Sequence, residues 1–153
     1  DSIDPILVVT PADQTVVNRS AFCSALGQAI EIAKTGAISI LGITPTAPET
    51  GYGYIKTQAK QSNDGLPGLV VERFVEKPNE ATAQQYIAEG GYFWNGGMFV
   101  LKASVWLNAL REFRPDILEA SYKAWQGKTS DASGDALFVR PNPELFNQIP
   151  SMR

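Results

Sequence analysis

A chain of 153 residues with a formal net charge of −3 has the size of one domain, and its 44% hydrophobic residues are enough to bury a core. The chain has no basic cluster long enough to contact nucleic acid and no apolar run long enough to span a membrane, so neither partner is expected. With no histidine and one cysteine, histidine-based zinc sites, Ser-His-Asp triads and internal disulfides are excluded. Chemistry must therefore come from carboxylates, lysines, backbone amides or a hard cation.

The single cysteine, Cys23, lies in a helical pattern beside Phe22 and Leu26, which predicts a buried thiol. A reducing compartment follows, and the acidic opening of the chain is unlike a signal peptide, so a cytoplasmic protein is expected. The chain opens without methionine directly before a strand-like run and ends as abruptly. These edges predict that residues 1–153 are part of a longer protein, truncated at both ends.

The first quarter of the chain has a strand, helix, strand pattern. Residues 5–9 are an apolar, β-branched run that predicts a buried parallel strand. Asn18 can cap a helix that runs to about Lys34 and is closed by Gly36. Residues 37–43 are a second apolar strand, so a right-handed βαβ unit is expected.

The middle of the chain predicts a β-hairpin followed by a helix and a strand. Residues 51–57 and 69–76 read as strands, with turn residues between them at 63–68. A helix is predicted over residues 80–89, and a strand interrupted by two glycines over residues 92–101.

The last third is predicted to be mainly helical. Ser104 caps one helix, and Pro115 is the first residue of another that ends near Trp125. Residues 127–134 are polar and are expected to form a mobile loop, and Pro143 starts a short final helix. The whole pattern predicts an α/β fold with a mixed, mainly parallel sheet flanked by helices and a β-hairpin.

Two motifs carry carboxylates at strand ends. Asp13 follows the first strand, where open α/β sheets place ligands, and could bind Mg²⁺; an ordinary turn aspartate is the alternative. Glu76 and Lys77 end the second hairpin strand before Pro78, where a carboxylate suits sugar hydroxyls and a lysine suits a phosphate. An exposed ion pair is the alternative for these two residues.

Two glycine motifs could admit a ligand to the backbone. The run at residues 51–54 contains Gly53 at the start of a strand, although glycines there also serve ordinary turns. Asn95 precedes Gly96 and Gly97 in the middle of an apolar strand, which indicates a bulge or a close contact. Asn95 could bond a sugar, or it could bond the backbone of the bulge.

The order and spacing of these motifs closely resemble the nucleotidyltransferase domain of bacterial mannose-1-phosphate guanylyltransferases, including those fused to a mannose-6-phosphate isomerase. The resemblance runs from about Asp4 to the end of the chain. It implies a partial Rossmann-like nucleotide-diphospho-sugar transferase domain, of which this chain would be the central and sugar-binding part. It also implies a parent enzyme that joins mannose 1-phosphate to GTP, giving GDP-mannose and pyrophosphate, with Mg²⁺ as cofactor. Because a truncated sheet leaves strand edges exposed, self-association into a homo-oligomer is a further expectation.

Residue roles follow from the resemblance, position by position. Asp13 looks like a metal-binding and catalytic aspartate, and Lys77 like a catalytic and phosphate-binding lysine. Glu76 would bond the sugar hydroxyls. Gly53 is similar to a backbone contact with the sugar, and Asn95, with Gly96 and Gly97 after it, would line the sugar pocket.

The chain departs from the family pattern in several places. It starts after the glycine-rich triphosphate loop and stops short of a second metal-binding aspartate, so the chain by itself is expected to lack turnover. Gln14 replaces a usual histidine, and Gly96 replaces a frequent serine. Two alternatives stay open at this point: a nucleotidyltransferase for glucose 1-phosphate, and a non-catalytic sugar-phosphate-binding module of the same fold.

Overall fold

The computed structural model describes residues 3–61, 67–134 and 136–151. The chain divides into two compact units, residues 1–103 and 104–153. Both units combine helices with strands, so the predicted α/β class is confirmed. No helix in the described ranges is both long and apolar enough to cross a membrane.

The first unit contains a five-stranded sheet and two helices. In chain order its elements are β1 (Ile6–Val9), α1 (Arg19–Lys34), β2 (Ser39–Ile43), β3 (Tyr54–Gln61), β4 (Leu69–Val75), α2 (Glu80–Glu89) and β5 (Tyr92–Lys102).

Strand β5 is the centre of this sheet. β1 pairs with its carboxyl half, where Val9 lies opposite Phe99, and β3 pairs with its amino half, where Tyr54 lies opposite Trp94. β2 pairs with both halves along the opposite edge. Residues 95–98 of β5 therefore lie between β1 and β3 on one edge, and this interval positions the site.

Every strand pair among the described residues is antiparallel, so the expectation of a mainly parallel sheet is wrong. β1 and β2 do run in the same direction, as their connection through α1 requires, but β5 inserts between them. The local strand, helix, strand pattern fixes the directions of its two strands and not whether they are neighbours. The 11-residue, largely apolar β5 can pair along both of its edges, and it separates them.

Helix α1 forms where the sequence predicts it. The side chain of Asn18 accepts a hydrogen bond from the amide of Ala21, which satisfies one of the free donors of the first turn. The helix ends before Gly36, whose φ of +94° favours glycine. Its buried face carries Ala29 and Ala33, which pack against β5.

Two expectations about burial are wrong in this unit. Cys23 is exposed, because the residues of α1 that pack against the core lie further along the helix, from Leu26 to Ala33. β1 is only partly covered, with Val8 43% and Val9 52% exposed. Ile6 is the residue of β1 that packs against the buried cluster of α1 and β5.

The β-hairpin is confirmed, since β3 and β4 pair antiparallel, while residues 63–66 of its expected turn lie outside the described ranges. Helix α2 has the predicted bounds, and β5 continues through its two glycines to Lys102. A core behind the hairpin joins α2 to β3 and β5. Its buried members are Tyr54, Ala83, Tyr86 and Tyr92.

The second unit starts within helix α3 (Ala103–Phe113) and continues with α4 (Pro115–Gln126), β6 (Thr129–Ser133), β7 (Ala136–Arg140) and α5 (Pro143–Phe146). Both helices predicted to start at a proline do so. Two other expectations are wrong.

Ser104 lies inside the first turn of α3 and is not its cap. The helix starts at Ala103, two residues earlier than that role requires and directly after β5, so there is no extended residue at position 104 to act as a cap. The expected mobile loop forms β6, because its polar residues pair in register with β7 from Thr129 opposite Arg140 to Ser133 opposite Ala136.

Candidate functional site

A cavity of about 300 Å³ lies beside residues 95–98, where β1 and β3 leave the edge of β5. This is the small end of the range for ligand pockets. Its wall combines apolar surface with two side-chain amides, which can bond polar groups of a ligand. The lining residues are Gln14, Ile43, Tyr52, Trp94, Asn95, Gly96 and Gly97.

The floor of this cavity is a tight backbone turn built by two glycines. Gly97 has a φ of +67°, and its amide donates to Asn95 Oδ1 at 3.0 Å. A Cβ on Gly96 would lie 2.7 Å from the Leu41 carbonyl oxygen, so this backbone packs directly against β2. The Asn95 oxygen is therefore engaged by the backbone, and its amide nitrogen is the group a ligand could engage.

Gly53, just before β3, joins the floor to the end of the hairpin. Its carbonyl accepts a hydrogen bond of 2.7 Å from the amide of Asn95. A Cβ on Gly53 would lie 2.7 Å from Phe74 Cζ and 2.9 Å from Glu76 Oε2. The missing side chain thus leaves room for the Glu76 carboxylate beside the backbone of the cavity.

Lys77 follows Glu76 in an unusual backbone conformation. Its φ of +44° lies in the left-handed region, which is unfavourable for a residue with a Cβ. Lys77 Nζ lies 3.6 Å from Glu76 Oε1, and both side chains are mainly exposed, at 64% and 60%. This turn sets an ammonium donor beside a carboxylate acceptor, a combination that suits a ligand with phosphate and hydroxyl groups.

Asp13 lies in the segment that follows β1. Its neighbour Gln14 donates from Nε2 to the Gly96 carbonyl at 2.9 Å. Pro11 packs over Gly97, where a Cβ would lie 3.2 Å from Pro11 Cγ. The segment is therefore held over the cavity floor, while the exposed Asp13 side chain is not among the lining groups.

Asp13 offers a single carboxylate to a cation. The described ranges contain no group of three or more acidic, cysteine or histidine side chains that could hold a metal. Mg²⁺ is often bound by one or two carboxylates, with phosphate oxygens and water completing its shell. A single exposed carboxylate fits such a cation when a bound phosphate supplies further ligands.

The structure brings together five of the six predicted site residues through direct contacts: Gly53, Glu76, Lys77, Asn95 and Gly97. Asp13 joins this set only through the hydrogen bond of its neighbour. Four cavity residues were not predicted: Ile43 of β2, which adjoins no predicted residue, and three that each adjoin one, Gln14, Tyr52 and Trp94. The rings of the last two meet edge to face with centroids 5.1 Å apart, a contact between distant motifs that neither motif reveals alone.

A charged network supports β3 and β5 behind the site. Lys56 bonds Glu89 at the end of α2 and lies over the ring of Tyr92. The hydrogen bond from Lys56 lowers the pKa of the Glu89 carboxyl, and the same bond raises the pKa of Lys56. Arg73 donates to the hydroxyl of Tyr92, so the stacked tyrosines of the core are capped by cations.

This network predicts a specific acid dependence of stability. Because the folded-state pKa of Glu89 is lowered, its contribution is present above the unfolded-state pKa and is lost as the pH falls through the folded one. We expect Glu89→Gln to flatten the acid limb of stability between about pH 5 and pH 3. Urea midpoints measured across that range test this, and Glu119→Gln, an exposed glutamate on α4, is the matched control. An acid limb as steep in Glu89→Gln as in the wild type would contradict it.

The chain is similar to known proteins that share one family. Residues 1–136 match the family described as nucleotidyl transferase. Over 148 residues the chain is 47% identical to the xanthan biosynthesis protein XanB of Xanthomonas campestris pv. campestris, which covers 97% of this chain. It is 39% identical to a mannose-1-phosphate guanylyltransferase of Escherichia coli over 148 residues, 96% of this chain. The chain spans 30% of the length of either relative.

A solved structure shares the fold across nearly the whole chain. The crystal structure described as mannose-6-phosphate isomerase from Helicobacter pylori superposes with a TM-score of 0.84 at 28% identity. The match covers 99% of this chain and 56% of that one.

Proposed function

This chain belongs to the nucleotidyl transferase family, and we propose that it forms the sugar-phosphate site of an enzyme that joins mannose 1-phosphate to GTP. The products are GDP-mannose and pyrophosphate. Relatives named for mannose 1-phosphate support this substrate, and nothing in the comparisons favours the glucose 1-phosphate alternative. The cytoplasmic location and homo-oligomeric state expected from the sequence stay predictions.

One observation carries the proposal: a carboxylate and an ammonium lie beside the backbone segment that is hydrogen-bonded to the cavity floor. Glu76 lies beside Gly53, whose carbonyl is bonded to the cavity floor at Asn95. In the proposed complex Glu76 accepts hydrogen bonds from sugar hydroxyls, and the Asn95 amide donates to another. Lys77 leaves its long contact with Glu76 and binds the phosphate, because a dianionic phosphate is the stronger partner.

The chemistry requires positioning more than covalent catalysis. A phosphate oxygen of mannose 1-phosphate forms a bond to the α-phosphorus of GTP while the bond to pyrophosphate breaks, so atoms and charge are conserved. Holding the sugar phosphate in line with its target lowers the entropic part of the barrier. The residues of this chain need only orient the nucleophile and balance its charge, and neither histidine nor cysteine is required.

Nucleotidyl transferases generally use a divalent cation, and we propose Mg²⁺ held by Asp13. The cation offsets phosphate charge in the reaction. The residues of this chain supply one carboxylate toward it, on a segment fixed to the cavity floor. This agrees with the donor preference of Mg²⁺ for carboxylate and phosphate oxygens.

The proposal predicts saturable binding of mannose 1-phosphate by the 153-residue chain, measured by calorimetry with Mg²⁺ present. Because both charged partners are removed, Glu76→Ala/Lys77→Ala should weaken binding by about 100-fold or more. Glucose 1-phosphate should compete less well. This experiment measures binding alone, and the groups proposed to bind the sugar phosphate all belong to the 153-residue chain.

The matched control for this double variant is Glu31→Ala/Lys34→Ala, which removes an equally exposed ion pair from α1. It should bind like the wild type. A folded wild-type chain that binds neither sugar phosphate would reject the proposed site. Pyrophosphate release from GTP and mannose 1-phosphate, measured on the longer protein proposed to contain this chain, distinguishes an enzyme from the non-catalytic binding module considered above. The 153-residue chain by itself is expected to release none.

A further inference from the structure

We propose that Gln14 is a positioning residue that couples the Asp13 segment to occupancy of the sugar-phosphate cavity. The inference rests on the proposed function and adds a residue that the motifs do not assign. Its basis is a hydrogen bond between residues 82 positions apart, from Gln14 Nε2 to the Gly96 carbonyl at 2.9 Å.

The segment that follows β1 is attached to the cavity floor at two points. Pro11 packs over Gly97 at one end, and Gln14 bonds Gly96 at the other. Asp13 lies between the two attachments. The residues on both sides of this carboxylate are attached to the cavity floor. Its segment therefore loses fewer backbone conformations on binding a ligand than an unattached loop would.

The acceptor of this bond is itself held in place. The amide of Gly97 is bonded to Asn95 Oδ1, and the backbone of Gly96 packs against the Leu41 carbonyl. Because Gly96 and Gly97 also line the cavity, a ligand that rests on this floor restricts the same peptide groups that hold Gln14. Through the side chain of Gln14, a ligand on the cavity floor therefore restricts the Asp13 segment, and a ligand at Asp13 restricts the cavity floor.

Such a connection has a thermodynamic signature. If the hydrogen bond orders the Asp13 segment, a cation at Asp13 and a sugar phosphate in the cavity must each increase the affinity for the other by the same factor. Loss of the Gln14 donor should reduce that factor, which is the ratio of the two sugar-phosphate affinities measured with and without the cation. A residue that only supported the fold would lower both affinities together.

The experiment titrates mannose 1-phosphate into the chain with and without Mg²⁺, in the wild type and in Gln14→Met. Methionine keeps the length of the side chain and removes its donor. We expect the ratio of the two dissociation constants to fall by about fivefold, the effect of one hydrogen bond. Gln85→Met, an exposed glutamine on α2, should keep the wild-type ratio.

A conservative variant provides the rescue. Gln14→His retains an N–H donor at similar reach, so it should restore most of the ratio at about pH 8, where imidazole is neutral. Amide hydrogen exchange of residues 94–98 gives a readout without any ligand. This exchange should be faster in Gln14→Met than in the wild type or in Gln14→His. An unchanged Mg²⁺ ratio in Gln14→Met overturns the inference, even if exchange becomes faster. A wild-type chain that binds no mannose 1-phosphate overturns the proposed function and this inference with it.

Discussion

Lys77→Ala should weaken the binding of mannose 1-phosphate by roughly 10- to 100-fold, the range of one charge-assisted hydrogen bond. Lys77→Gly should lose the same affinity and yet be more stable than Lys77→Ala, by about 0.5–1 kcal/mol. The left-handed conformation at φ +44° disfavours any residue with a Cβ by about 1–2 kcal/mol, and the greater freedom of glycine in the unfolded chain offsets part of that gain. Calorimetric titration and urea unfolding of both variants measure the two effects.

Comparing Lys77→Ala with Lys77→Gly separates the contribution of the Lys77 side chain to binding from the effect of its backbone conformation on stability. Lys34→Ala removes another exposed, ion-paired lysine, which belongs to α1, and should leave binding unchanged. Lys77→Arg should keep part of the affinity, because it keeps the charge but not the compact ammonium. Equal stability of the glycine and alanine variants would show that the left-handed conformation costs nothing, and full binding by either would remove Lys77 from the site.

The elements that the sequence predicts well are those with local signals. The cap at Asn18, the glycine after α1 and the proline at the start of α4 each act within a few residues, and each lies where expected. Helix α2 likewise has the expected bounds. Such signals concern backbone groups of one segment, which do not depend on what the rest of the chain does.

The sheet could not be predicted in the same way, because its order depends on distant segments. Residues 5–9 and 37–43 show that two strands run in the same direction, and nothing in either run shows that β5, about 50 residues later, lies between them. The expected burial of β1 failed for a related reason. Apolar composition predicts a preference for burial, and the packing partners decide how far it is realised.

The candidate site likewise combines local motifs, which the sequence reveals, with contacts between distant segments, which it does not. The motifs at Gly53, Glu76 and Asn95 were recognised one at a time, and their order along the chain resembled a known pattern. The contacts between them were not visible in the sequence, since the carbonyl of Gly53 bonds an amide 42 positions later. Gln14 was noticed as a departure from the pattern, and only the folded chain shows that it contacts Gly96.

The contact at Gly53 gives the second large prediction. Gly53→Ala should lower the affinity for mannose 1-phosphate by about tenfold or more and reduce the free energy of unfolding by only about 1 kcal/mol. The added methyl group would meet the outer end of the Phe74 ring and the Glu76 carboxylate, at 2.7 and 2.9 Å. Phe74 is 45% exposed, so its ring can swing toward solvent at small cost. Glu76 must also move, and it then leaves the position from which it would reach a sugar hydroxyl.

Gly51→Ala is the matched control for this prediction, because a Cβ at Gly51 meets nothing within 4 Å. It should change neither affinity nor stability, although it alters the same glycine-rich run. Affinity and unfolding free energy measured for both variants distinguish a displaced carboxylate from a damaged fold. If Gly53→Ala bound mannose 1-phosphate as well as Gly51→Ala, the closeness of Glu76 to the Gly53 backbone would have no part in recognition. The cavity would then have to hold the sugar through Asn95 and the aromatic wall alone.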